Sequence, residues 1–60
     1  MNIDEIRANA PKGTTHYHCV VTNMKFDFYY YRIINRVVYF WNHDEWAITY
    51  KDVDFLSPLY

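Results

Sequence analysis

Residues 26–42, FDFYYYRIINRVVYFWN, constrain the fold more than any other stretch of this chain. Aromatic and β-branched residues dominate on both sides of the central Ile-Ile-Asn, and such residues favour extended backbone. Successive side chains of a strand point to opposite faces, yet here aromatic rings fall on both. A two-residue loop at Ile34–Asn35, where Asn tolerates positive φ, sets Arg32 opposite Val37, Tyr30 opposite Tyr39 and Phe28 opposite Trp41. A second loop at His43–Asp44 sets Trp41 opposite Trp46, Tyr39 opposite Ile48 and Val37 opposite Tyr50. Opposed residues share a face. The first face therefore collects Phe28, Tyr30, Tyr39, Trp41, Trp46, Ile48 and Tyr50, and the second Tyr29, Tyr31, Val38, Phe40, Ala47 and Thr49. The first is heavier, holds both tryptophans, and is expected to form the core. A one-residue slip in either turn is expected to exchange the faces.

The flanking segments complete an α+β plan. Asn2 and Glu5 make a capping-box pattern, and Asp4 and Glu5 suit the positive end of a helix. Ile3, Ile6 and Ala10 form one narrow apolar stripe; Pro11 ends the helix, and Gly13 turns the chain. So short a helix is not stable alone and must dock. The segment TTHYHCVV reads as a first strand, TNMK as a turn, and EWAITY as a fourth strand. In KDVDFLSPLY the alternation stops. Asp52 and Asp54 read as solvated, while Phe55, Leu56 and Leu59 read as an anchor folded back on the sheet. Pro58 argues against a central strand there. The expected architecture is one small domain: a short N-terminal helix packed on a three- to four-stranded antiparallel meander, with a folded-back C-terminal tail.

Composition explains the need for so many rings. A chain of 60 residues buries only about 60% of its unfolded surface. Its single cysteine excludes an intrachain disulfide and fits a reducing compartment. Aromatic burial is the substitute, with self-association a second source of stability. Six basic residues against seven acidic, a net charge of −1, supply no field for duplex DNA. No basic head followed by an apolar stretch reads as a signal peptide, and no apolar run approaches the roughly 18 residues of a membrane span. The expected setting is the cytoplasm.

Candidate chemistry is sparse. His16 and His18 share a strand face, and with His43 they could make a three-imidazole metal site; no ligand motif of known spacing supports it. Cys19 falls on the face opposite His18, which argues against a Cys–His nucleophile pair. His43, Asp44 and Glu45 read as a polar hairpin turn rather than an acid–base cluster. No glycine-rich phosphate loop is present. The expectation is a protein without catalytic activity, cofactor or metal.

The second face carries the binding hypothesis. Tyr29, Tyr31 and Phe40 cluster there, with Arg32 and Arg36 near one hairpin tip, and aromatic and arginine side chains are favoured at protein interfaces. Three occupants compete for this face: the tail, a twin copy in a homodimer, or another protein. The alternative is a single-stranded nucleic acid stacked on the sheet among Lys25, Arg32 and Arg36.

The segment NAPKGTTHYH (residues 9–18) resembles the AP-x-G-[AT]-T-H-Y opening of many small phage and prophage accessory proteins. The tyrosines at 29–31, Trp41 and Trp46, and the ending FLSPLY follow in the order found in those proteins. The resemblance implies a phage origin and a setting in the cytoplasm of an infected bacterium, but no chemistry. Small phage accessory proteins often disable a host protein, including CRISPR–Cas and restriction machinery. An anti-CRISPR or other anti-defence inhibitor that acts by occupying a host protein's surface is the concrete expectation.

Overall fold

The computed structural model describes residues 3–50 and 53–60. Helix α1 (Ile3–Asn9) leads into strands β1 (His16–Thr22), β2 (Lys25–Ile34), β3 (Val37–Asn42) and β4 (Glu45–Thr49); a 3-10 turn at Val53–Phe55 precedes a short strand β5 (Ser57–Pro58). All five strands form one antiparallel sheet in the order β4-β3-β2-β1-β5. The α+β class and the four-stranded meander follow the sequence expectation. The fifth strand corrects it, because the tail joins the sheet at its edge, pairing His16 with Pro58 and Tyr17 with Ser57. An edge position tolerates the missing proline N–H. Asn2 of the expected cap, and Asp52, lie outside the described residues.

The helix stops as Pro11 and Gly13 dictate. Gly13 has φ +94°, and the Thr14 hydroxyl donates to the Pro11 carbonyl at 2.7 Å. Two hairpin turns have positive φ at both central residues, at Asn23–Met24 and Asn35–Arg36, the backbone of the tight turns that match strand twist. The β2–β3 turn therefore sits one residue later than the expected Ile34–Asn35. Moving a turn by one residue moves the pairing by two, so Arg32 rather than Tyr30 faces Tyr39, and the faces do not exchange. The β3–β4 register, with Trp41 opposite Trp46 and Tyr39 opposite Ile48, is as expected.

The core is not where the heavier aromatic face placed it. The buried cluster is Tyr31, Val38 and Leu56, with Ile33 and Phe40 packed against it. Tyr31, Val38, Ile33 and Phe40 all lie on the second face, and the tail supplies Leu56 as its cover. The first face carries the helix: the Tyr30 hydroxyl donates to the Ile6 carbonyl at 3.0 Å, and Gly13 lies against the Arg32 side chain. Leu59, fully buried, donates its N–H to Thr15 and receives Arg7 Nε on its carbonyl at 2.7 Å. A seven-residue helix is only about 10 Å long, too short to cover a sheet of this width. Most first-face rings are thus half-covered, and Ile48 and Tyr50 are exposed. Phe55, expected in the tail's anchor, is also exposed; Leu56 and Leu59 hold the tail.

Strand β2 changes partner midway. It pairs with β1 over Lys25–Tyr31 and with β3 over Tyr31–Ile34. Only Tyr31 belongs to both ladders. The β1–β2 hairpin therefore overhangs the sheet as a two-stranded ribbon, beyond the reach of β3 on one side and of β5 on the other.

Candidate functional site

The five residues expected to bind a partner are dispersed. Tyr29 is half-exposed, on the second face of the ribbon. Tyr31 is 7% exposed, beneath the tail, and Phe40 packs on the same cluster. Arg32 lies on the first face, its guanidinium 4.9 Å from the rings of both Tyr39 and Trp46. Its Nε is buried without a hydrogen-bond partner, so ring stacking holds this cation. Arg36 is an exposed turn residue with φ +65°. Of the three occupants considered for the second face, the tail is the one seated over Tyr31 and Val38.

The histidines are employed locally. Thr15 Oγ1 accepts from the Ile33 N–H at 2.9 Å and lies 2.8 Å from His16 Nδ1. The His18 Nδ1 lies 2.9 Å from the Phe55 carbonyl, which can only accept, so this nitrogen carries the proton. His43 is in the distant β3–β4 turn. No group of three or more potential metal ligands occurs among the described residues. Burial raises the Tyr30 phenol above its usual pKa, as expected for a hydroxyl that donates beneath the helix.

Two features of the overhanging ribbon stand out. The first is its apolar face. Tyr17, Cys19 and Val21 of β1 lie opposite Tyr30, Phe28 and Phe26 of β2, and the Tyr17 and Phe28 rings meet at 6.4 Å. The helix ends over the inner part of this stripe. At the outer part Val21 and Phe26 are each 56% exposed, and Met24 at the tip is 95% exposed. The alternation of apolar residues at 17, 19, 21 and at 26, 28, 30 was present in the sequence. Only the overhang shows that its outer end lies uncovered.

The second feature is a cleft. Beyond the Tyr31–Phe40 pair, β2 stays with β1 while β3 stays with β4. Strand β3 ends two residues later while β2 runs on, and a cavity of about 430 Å³ lies where they part. Phe28, Tyr29 and Tyr30 form one wall, Phe40 and Trp41 the other, with Asn42 and His43 at one end and Asn9 of the helix above. Trp41 is braced by an edge-on contact with Trp46 at 5.2 Å. The signal missed in the sequence was the unequal length of the strands: β2 runs for ten residues and β3 for six.

Compared with models of known protein families, with curated proteins and with solved structures, the chain matches none. No helix among the described residues is long and apolar enough to cross a membrane.

Proposed function

We propose that this chain is a non-catalytic binding protein that engages another protein through the apolar face of its β1–β2 ribbon. One observation carries the reading: Val21, Phe26 and Met24 are exposed together on an overhanging hairpin. A small chain with so little buried apolar surface gains nothing for its own fold from these side chains. Exposed apolar groups gathered in one patch mark interaction sites. Tyr29, half-exposed on the opposite side of the ribbon, lies outside this patch. The resemblance of residues 9–18 to phage accessory proteins supports a host protein as the partner and the bacterial cytoplasm as the setting. Steric inhibition of a defence system, of the anti-CRISPR kind, is then the concrete role.

A tagged copy should capture a partner from bacterial lysate, and Val21→Lys and Phe26→Lys should each abolish capture while leaving the circular dichroism spectrum unchanged. Retention of every partner by both variants would overturn the reading. Tyr31→Ala, by contrast, should act on folding, because Tyr31 lies in the core.

Stacking of single-stranded nucleic acid has weaker support. The Arg32 guanidinium is engaged by Tyr39 and Trp46, and Lys25 and Arg36 flank opposite ends of β2, roughly 30 Å apart in extended chain. The cations do not form one track. Binding to oligonucleotides that weakens steeply with added salt would favour this second reading instead.

A further inference from the structure

The two edges of the sheet are finished differently. At one, β5 is two residues long and carries Pro58. At the other lies β4, Glu45–Thr49, with the sequence EWAIT. It has no proline or lysine, and its register with β3 runs without a bulge, so it lacks the usual devices that keep edge strands apart. Its main chain is also open on one side. Opposed residues of an antiparallel pair alternate between hydrogen-bonded and non-bonded. Counted from the turn at Asn35–Arg36, Val37 and Tyr39 bond to β2, which leaves Val38 and Phe40 for β4. Their partners Thr49 and Ala47, and with them Glu45, turn inward; Trp46 and Ile48 direct their N–H and C=O groups outward. No described strand lies beyond β4, and no described turn or loop bonds to the main chain of Trp46 or Ile48.

Surface area indicates what this edge meets. A folded monomer of 7.4 kDa exposes about 4,200 Å², whereas this chain exposes 4744 Å². The surpluses of two copies together come to about 1,000 Å², the least that a specific interface buries. Part of the surplus lies beside β4. Ile34 and Val37 are exposed, Ile48 is 60% exposed, and Tyr50, the next residue after the strand, is 99% exposed. Stacking two such faces would bury Arg32, the one charge on the first face of β2, β3 and β4, with no carboxylate to meet it. Joining the edges avoids this, because Arg32 lies two strands in, about 10 Å from β4. Strand β4 is also complementary to itself. With Ala47 on a twofold axis, each Trp46 meets the Ile48 of the other copy and each Glu45 meets a Thr49, so no like charges are opposed.

We propose that the chain is a symmetric dimer, joined through its β4 edges into one continuous antiparallel sheet. The dimer does not depend on the ribbon reading. Strand β1 lies three strands from β4, so the two ribbons stand toward the far ends of the joined sheet and both stay open to partners.

Sedimentation equilibrium on the full chain should give twice the 7.4 kDa of one copy. Ile48→Lys, at an exposed edge position, should weaken association by about tenfold or more with an unchanged circular dichroism spectrum. Val37→Lys and Val21→Lys should leave association unchanged. A chain carrying Cys19→Ser and Ala47→Cys should form a disulfide-linked dimer on mild oxidation, because directly opposed residues of a non-bonded pair lie within disulfide reach. Cys19→Ser with Ile34→Cys should not. On the unaltered chain, hydrogen exchange at the Trp46 and Ile48 amides should slow as protein concentration rises. A monomer at every concentration up to about 1 mM, a dimer broken by Val37→Lys or Val21→Lys, or exchange at Trp46 and Ile48 that ignores concentration would each overturn the edge dimer. Growth into an open series of oligomers would also overturn it, in favour of a head-to-tail contact of β4 with another surface of the next copy. A monomer whose Ile48→Lys variant loses lysate capture would assign the edge to a strand of a different protein instead.

Discussion

Tyr30 joins the helix to the sheet through one hydroxyl, and that hydroxyl makes the molecule sensitive to alkali. Its pKa is raised by burial, so the folded state holds the proton more tightly than the unfolded chain does. The contribution is complete below the unfolded tyrosine value of about 10 and is lost as pH rises through the higher folded value. Urea midpoints should therefore hold steady through neutrality and fall in strong alkali. Tyr30→Phe should cost about 1 kcal/mol at neutral pH and flatten the alkaline decline. At this scale some roles could be read from residue type and others could not. Gly13 was legible because a glycine after Pro11 has one obvious use. Tyr31 was not: in a run of three tyrosines nothing in the chemistry of one ring tells that its main chain belongs to two ladders.

The elements were legible where alternation and turn residues agreed. Trp41 opposite Trp46 followed from the polar pair at His43–Asp44, and the β2–β3 faces survived a misplaced turn because the shift in pairing was even. The cover over each face was not legible. The heavier face was expected to be the more buried, but burial depends on what lies above a face. The helix is too short to close the first, while a tail with Leu56 on one side and Leu59 anchored on the other seals the second. The turns themselves lead to a prediction. Arg36 and Met24 both hold positive φ, a conformation in which a side chain is unfavourable and glycine is not. Arg36→Gly should raise stability by about 0.5–1 kcal/mol, measured by thermal melting. Met24→Gly should stabilise similarly, and if it also weakens partner capture, then the tip side chain is kept at the expense of the turn.

For the whole molecule, stability is concentrated in few side chains. Domains of this size are worth about 3–9 kcal/mol in total at the usual 0.05–0.15 kcal/mol per residue. Among the described residues Leu59 is the largest fully buried side chain, and Leu59→Ala should cost about 2–5 kcal/mol, enough to populate unfolded chains at room temperature in a urea titration. The tail's pairing also sets an order of events. Each hairpin of the meander closes across a tight turn, a step of microseconds. The β1–β5 ladder joins His16 to Pro58, so its closing loop spans most of the chain, and the entropy of that closure is lost before its contacts form. Docking of the tail is then the late step of folding and its release the early step of unfolding. In stopped-flow experiments Leu59→Ala should accelerate unfolding and leave the folding rate nearly unchanged, so the lifetime of the folded state is governed by its shortest strand.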